Sequence, residues 1–250
     1  MPGRNLFRRS GCQSIRECYN SHVNNPKTAA IFDLDGTLFT GHFWQGIVEH
    51  NVRHRVRVLP TIAYLASHYP LWIGHKLGLI SEESFKTKWG EDLSLLLKGL
   101  TAEQIEGVFK WIEGSYFARR LRPDMVDLLQ RHRSQGHVTI ILSGSFQGFL
   151  EVVRGRLGAD YAVGSRLKMD GRRCAGVTEK PLCFGKNKVA ALRRSISDLG
   201  LEIEFGASFA YADSLTDVPV LEMVGNPVAA YADAGLVKLA GKKGWRVLPA

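Results

Sequence analysis

"AAIFDLDGTLF", residues 29–39, decides how the rest of the chain is read. A short apolar run reaches two aspartates, Asp33 and Asp35, and Gly36-Thr37 then turns the chain. Short continuous apolar runs that end in turn residues read as buried strands. A spacing of two in extended backbone sends both carboxylates off the strand end on the same side. Asp and Gly are also ordinary turn-formers after a strand. The pair therefore gains meaning only from what the remaining chain sets beside it.

Working outward, the pattern alternates. Residues 28–34 read as a strand. From Phe43 to about Arg120 the apolar positions recur at helical spacing and no strand is expected. Within this block Thr101 and Gln104 predict an N-cap and capping box, and the basic run 53–57 reads as a solvated helix face. Strands then return: 123–136 is a helix with Pro at its start and Gly at its end, 137–145 a β-branched strand stopping at a polar turn, and 148–158 a helix. Residues 159–178 read as short strands turning at Asp170-Gly171, 186–200 as a helix and 206–214 as a strand. The pattern closes with a short helix over 216–225 and a last strand over 226–232.

Helices between short apolar strands predict a parallel α/β sheet. The helical block after the first strand reads as an insertion. In open α/β sheets the binding crevice lies beyond the carboxyl ends of the strands. Three polar strand ends meet that description: Asp33-Leu34-Asp35, Ser143-Gly144-Ser145 and Asp213-Ser214.

Carboxylates gathered on one rim raise each other's pKa unless a cation joins them. Asp33, Asp35, Asp213 and Asp217 would form such a group, and an oxygen-only donor set suits Mg²⁺. Lys186 or Lys188, at the start of the preceding helix, could add a positive charge. A carboxylate can attack phosphorus to give an aspartyl-phosphate. Ser143 and the backbone N–H groups after it could hold a phosphoryl oxygen, and a second carboxylic acid could serve the leaving alcohol and then the water.

"FDLDGTL", "ILSGS", "GKNKVAAL" and "YADSLTDVPVLEMVGNPVAA" occur in this order. Together they resemble the four motifs of the haloacid dehalogenase (HAD) superfamily, in its phosphoserine-phosphatase-like branch, subfamily IB. The resemblance implies an α/β fold: a Rossmann-like, doubly wound parallel sheet with an inserted all-α C1-type cap. It divides the chain into a basic tail (1–27), a core (28–39 plus 122–250) and a cap (40–121). It implies Mg²⁺ as cofactor, with Asp33 as nucleophile and metal-touching carboxylate and Asp35 as general acid/base that also lends its carbonyl to the metal. Asp213 would be the main side-chain ligand and Asp217 a metal-linked carboxylate. Ser143 and Gly144 would bind the phosphoryl group, and Lys188, four residues before Leu192, would be the charge-neutralising lysine. Thr37 would be a capping or binding hydroxyl. At the position where phosphoserine phosphatases carry an acidic selector the chain has His42, and where they carry an arginine it has Lys86, Lys88 and Trp89. Lysine cannot copy arginine's bidentate grip on a carboxylate. His42 and Lys88 are expected to face the crevice if they select substrate, and the aromatic, basic cap suits a larger or more apolar phosphomonoester.

Composition narrows the field. The 250 residues are 45% hydrophobic and 23% charged, with a net charge of +9. The first 27 residues hold five basic side chains against Glu17 alone, which reads as a disordered basic tail in preference to an organelle transit peptide. No nucleic-acid motif is present. The four cysteines lack metal-ligand spacing and imply no disulfide, which points to a reducing, cytoplasmic setting. The nearest approach to a membrane span, 59–80, is interrupted by Pro60, His68, Pro70, His75 and Lys76, so no integral membrane segment is expected. The expected activity is Mg²⁺-dependent hydrolysis of a small phosphomonoester. The alternatives are phosphoryl transfer to an alcohol, or a non-catalytic module that binds a phosphorylated ligand or a membrane surface. Nothing in the sequence sets the oligomeric state.

Overall fold

The computed structural model describes residues 26–248. The basic tail thus lies almost wholly outside the described residues, although Lys27 is tied into the fold, its N–H donating to the Glu202 carbonyl at 2.8 Å. Six parallel strands form one sheet in the order β3-β2-β1-β6-β7-β8. They are β1 (Ala29–Phe32), β2 (Val138–Phe146), β3 (Tyr161–Ser165), β6 (Phe209–Ala212), β7 (Asn226–Ala230) and β8 (Arg246–Leu248). The chain winds outward in both directions from β1. The order therefore reverses between β1 and β6, which is where such sheets open a crevice. A two-stranded antiparallel ribbon, β4 (Leu167–Asp170) and β5 (Arg173–Thr178), stands apart and turns at Asp170-Gly171.

Both faces of the sheet are covered. Along β1, Ala30 and Phe32 join one apolar cluster and Ala29 and Ile31 the other, the period-two alternation of a strand buried on both sides. Helices α5 (Pro123–Ser134) and α6 (Gln147–Leu157) supply the first cluster. Helices α7 (Lys186–Asp198), α8 (Val218–Leu221) and α9 (Ala234–Lys243) supply the second.

Between Phe39 and Leu121 the described elements are helical: α1 (Phe43–Arg53), α2 (Val58–Lys76), α3 (Glu82–Leu93) and α4 (Ala102–Trp111), with short helical turns after α3 and α4. The departing and returning segments are stitched together, Thr40 N–H donating to the Arg120 carbonyl and Arg122 N–H to the Leu38 carbonyl. The block packs on the core through aromatic rings, Phe43 stacking on Phe149 at 4.4 Å between centroids. Thr101 and Gln104 form the expected capping box.

Four expectations need correction. Residues 226–232 are not the last strand, because α9 and β8 follow. The strand over 137–145 does not stop at its polar residues; β2 continues through Ser143-Gly144-Ser145, where its pairing with β3 shifts register. The helix over 216–225 shortens to Val218–Leu221, because Leu215–Asp217 is a tighter turn. The basic run 53–57 is no helix face. Helix α1 ends at Arg53, and Arg55 and Arg57 take left-handed backbone (φ 53° and 51°) in the turn to α2.

Candidate active site

Asp33 and Asp213 are the first residues beyond neighbouring strands β1 and β6. The Asp33 N–H donates to the Tyr211 carbonyl at 2.9 Å, which fixes where its side chain leaves the sheet. Gly36, with φ 85°, bends the chain so tightly that a Cβ there would overlap the Asp213 carboxylate. The glycine is what allows the two strand ends to share one crevice. Asp217 comes from the turn before α8, and Lys188 from the first turn of α7.

These four side chains converge. Carboxylate oxygens of Asp33, Asp213 and Asp217 lie within 4.8 Å of one another. Lys188 Nζ donates to Asp33 Oδ1 and to Asp217 Oδ1, each at 2.5 Å. Burial pushes the Asp33 carboxyl well above the ordinary range; Lys188 opposes this and the neighbouring carboxylates add to it. Burial and Asp217 push Asp213 up to about 7, against Lys86 and Lys188. Burial alone would depress the Lys188 ammonium, but Asp217 and Asp33 outweigh it and hold it above its usual value. Three carboxylates near the ammoniums of Lys188 and Lys86 still leave an excess of negative charge. Their all-oxygen donor set fits a hard divalent cation.

Asp35 is held separately. Its Oδ1 accepts from the Phe43 N–H at 2.6 Å, the first amide of α1, and its Oδ2 accepts from Ser145 Oγ at 3.0 Å and Ser143 Oγ at 3.4 Å. Its carboxylate therefore lies outside the three-carboxylate group, although the chain brings it to the same cavity. Ser145 is a contact that sequence reasoning missed. The signal was available, because Ser143 and Ser145 share one side of an extended strand.

The cavity has a volume of about 340 Å³ and is bounded by Asp33, Asp35, Ser143, Gly144, Lys188, Asp213 and Asp217. Its other wall comes from the helical block: His42, Trp44, Trp72, Phe85, Lys86 and Trp89. A larger groove of about 590 Å³ follows the β3 edge but touches none of the carboxylates. His42, the residue before α1, thus reaches the crevice. Lys88 does not line it and instead pairs with Asp92 at 2.8 Å, while Lys86 does line it. Residues two apart on a helix point to opposite sides, so only one of the two lysines can face inward. Thr37 is fully buried behind the Gly36 turn and does not line the cavity. Lys186 does not line it either. Among the described residues no helix is long and apolar enough to cross a membrane.

The chain belongs to the haloacid dehalogenase-like hydrolase family, whose family model matches residues 30–222. It is an enzyme, and several of its relatives carry phosphatase names. It is 26% identical over 231 residues to an "inhibition of morphological differentiation protein" of Streptomyces azureus, covering 89% of this chain and 78% of the relative. It is 27% identical over 229 residues to a histidinol-phosphatase of Neisseria meningitidis, covering 89% and 98%. Among solved structures, a phospho-aspartyl intermediate analogue of phosphoserine phosphatase superposes with a TM-score of 0.58 at 20% identity, over 89% of this chain and 93% of that one. That likeness establishes a shared fold.

Proposed function

We propose that the chain is a Mg²⁺-dependent phosphomonoesterase that works through an aspartyl-phosphate on Asp33. The observation that carries this reading is the division of labour between its two neighbouring aspartates. Asp33 is buried against a cation, and its Oδ1 is engaged by Lys188. Oδ2 is the oxygen left to attack phosphorus. Asp35 is steered by Phe43 N–H and Ser145 Oγ, where it can exchange a proton. In the first step the Asp33–phosphorus bond forms, the ester P–O bond breaks, and protonated Asp35 gives its proton to the leaving alkoxide. In the second step water attacks phosphorus, Asp35 recovers a proton from it, and the acyl-phosphate P–O bond breaks. Asp33, Asp213 and Asp217, with the Asp35 carbonyl, would hold Mg²⁺, which when bound supplies charge to the phosphoryl oxygens. Lys188 supplies a fixed positive charge beside them, and Ser143 and Gly144 would seat a phosphoryl oxygen. Small phosphorylated metabolites are the expected substrates, with His42 and Lys86 on the leaving-group side. Cys174 and Cys183 are buried free thiols, which suits a cytoplasmic setting.

Phosphate release from a panel of phosphomonoesters with Mg²⁺ tests the proposal. Asp33→Asn should lower release by about a thousandfold or more. Undiminished release in that variant sinks the aspartyl-phosphate route. No release by the unaltered protein from any ester would favour the non-catalytic reading.

A further inference from the structure

Helix α2 is built inside out. Its inward stripe is Thr61, Tyr64 and His68, and the partners are polar. Thr61 Oγ1 accepts from Asn51 Nδ2 at 3.0 Å, Tyr64 donates to the Trp89 carbonyl, and His68 Nε2 lies 3.1 Å from Asp92. Its outward stripe is apolar: Leu59, Ile62, Ala66, Tyr69, Ile73 and Leu77 recur at three- and four-residue spacing. Leu59 is 79% exposed, Ile62 57% and Leu77 68%. A helix packed only on its own protein would bury this face instead.

Charge says what covers it. Between Glu49 and Glu82 the sequence contains no acidic residue, while Arg53, Arg55, Arg57 and Lys76 stand at the two ends of the stripe. Glu49 is engaged elsewhere, by Arg119 at 3.0 Å. Arg53, Arg55 and Lys76 have no acidic partner among the described residues, and Lys76 lies over the Trp72 ring. An exposed apolar stripe with basic residues at both ends and an exposed Trp and Tyr matches an anionic bilayer surface. A second copy of the chain matches it poorly, because a two-fold contact through this face would bring together two positively charged surfaces with no acid on either.

The face is continuous with the active-site cavity. Trp72, 39% exposed on α2, also lines that cavity, and His75 stacks on Phe85 of its wall at 5.2 Å. We propose that the outward face of α2 rests on an anionic lipid surface and that the cavity beneath takes amphiphilic phosphomonoesters from it. The substrate half of this proposal rests on the phosphatase reading above; the docking half does not. The helix lies on the surface, and the apolar tail of the ester would follow the Trp72, Phe85 and Trp89 wall while its phosphate reaches Asp33.

The full chain is sedimented with vesicles of phosphatidylcholine alone or with phosphatidylglycerol added. Binding is expected only with the anionic lipid and should weaken as salt is raised. Ile62→Ser/Ile73→Ser/Leu77→Ser, checked for an unchanged circular dichroism spectrum, should bind about a hundredfold more weakly. Failure of the unaltered chain to bind anionic vesicles overturns the docking, as does undiminished binding by the triple variant. Loss of a concentration-dependent dimer in the triple variant, without vesicle binding by the parent, assigns the face to a second copy instead. Long-chain alkyl phosphates should be hydrolysed about tenfold more efficiently than glycerol phosphate; equal rates overturn the substrate half alone. Vesicle binding without phosphate release from any ester supports docking and rejects the phosphatase reading.

Discussion

Replacing Lys188 by methionine tests the electrostatics of the site most directly. The ammonium is 3% exposed and sits 2.5 Å from one oxygen of Asp33 and one of Asp217. Methionine keeps most of the volume and removes the charge. Two buried carboxylates then face each other and Asp213, with ligand oxygens within 4.8 Å. At an effective dielectric of about 20, one such pair repels by about 3 kcal/mol. Breaking a buried pair by removing one partner costs about 3–5 kcal/mol. With divalent cations chelated at pH 8, Lys188→Met should lose stability of that order in urea denaturation. The loss should shrink at pH 5, where Asp213, raised to about 7, takes up a proton and no longer repels its neighbours. It should also shrink in Lys188→Met/Asp217→Asn, where one of the two stranded charges is gone. A loss below about 1 kcal/mol, or one equal at pH 5 and pH 8, would refute the reasoning, since either requires an ammonium that does not compensate these carboxylates.

Other outcomes follow from the same geometry. Asp213 has its folded pKa raised to about 7, so it stabilises the cation-free protein at low pH and loses that contribution as pH rises from about 4 to about 7; urea midpoints without divalent cation should fall over that range, and Asp213→Asn should flatten the fall. His132 behaves oppositely: burial depresses it to about 4, so stability falls as pH drops from about 6.5 toward 4, by at most about 3 kcal/mol, and His132→Leu should remove that acid limb. Gly36→Ala should lose at least about 2 kcal/mol in denaturation and most phosphate release, because it combines a left-handed φ with displacement of Asp213. Ser145→Ala removes a charge-assisted hydrogen bond of about 1.5–3 kcal/mol from Asp35; kcat should fall about tenfold or more and the pH profile of kcat should shift, whereas a merely structural serine would leave that profile in place.

The core was legible because its signals are local. The apolar run before Asp33, the Pro123 start and the Thr101/Gln104 box each act within one turn or one strand, and each element appears where they indicate. The polar strand ends anticipated that Asp33 and Asp213 share one rim; that they leave adjacent strands is seen only in the fold. What failed was also local in cause. Helix α9 follows an Asp233 cap that accepts from the Leu236 N–H, but it is only ten residues long and three of its residues are the poor helix former Gly or the β-branched Val. Strand β8 is a largely exposed edge of three residues with no apolar run to announce it. Lys88 carries the right charge at the wrong helical phase, and that phase depends on how α3 packs.

The helical block was less legible for a different reason. Helix α2 is apolar nearly all round in sequence, so periodicity cannot say which face meets the protein. That choice rests on Asn51 in the preceding helix and on the Trp89 carbonyl and Asp92 in the following one, which turn Thr61, Tyr64 and His68 inward. Ordinary burial would predict the reverse, and the reversal is stable only because each inward polar group finds a partner. The reacting rim and its entrance therefore obey different rules. At the rim, backbone geometry at strand ends fixes the carboxylates within hydrogen-bonding reach of one lysine, and a few spaced residues reveal it. At the entrance, distant side-chain pairings decide which surface is presented, so the determinants of what enters are the part a single sequence conceals. It follows that exchanging α2 residues on the outward stripe should alter encounter with substrate while leaving the Asp33–Lys188–Asp217 geometry intact, because no outward residue of that stripe touches those three.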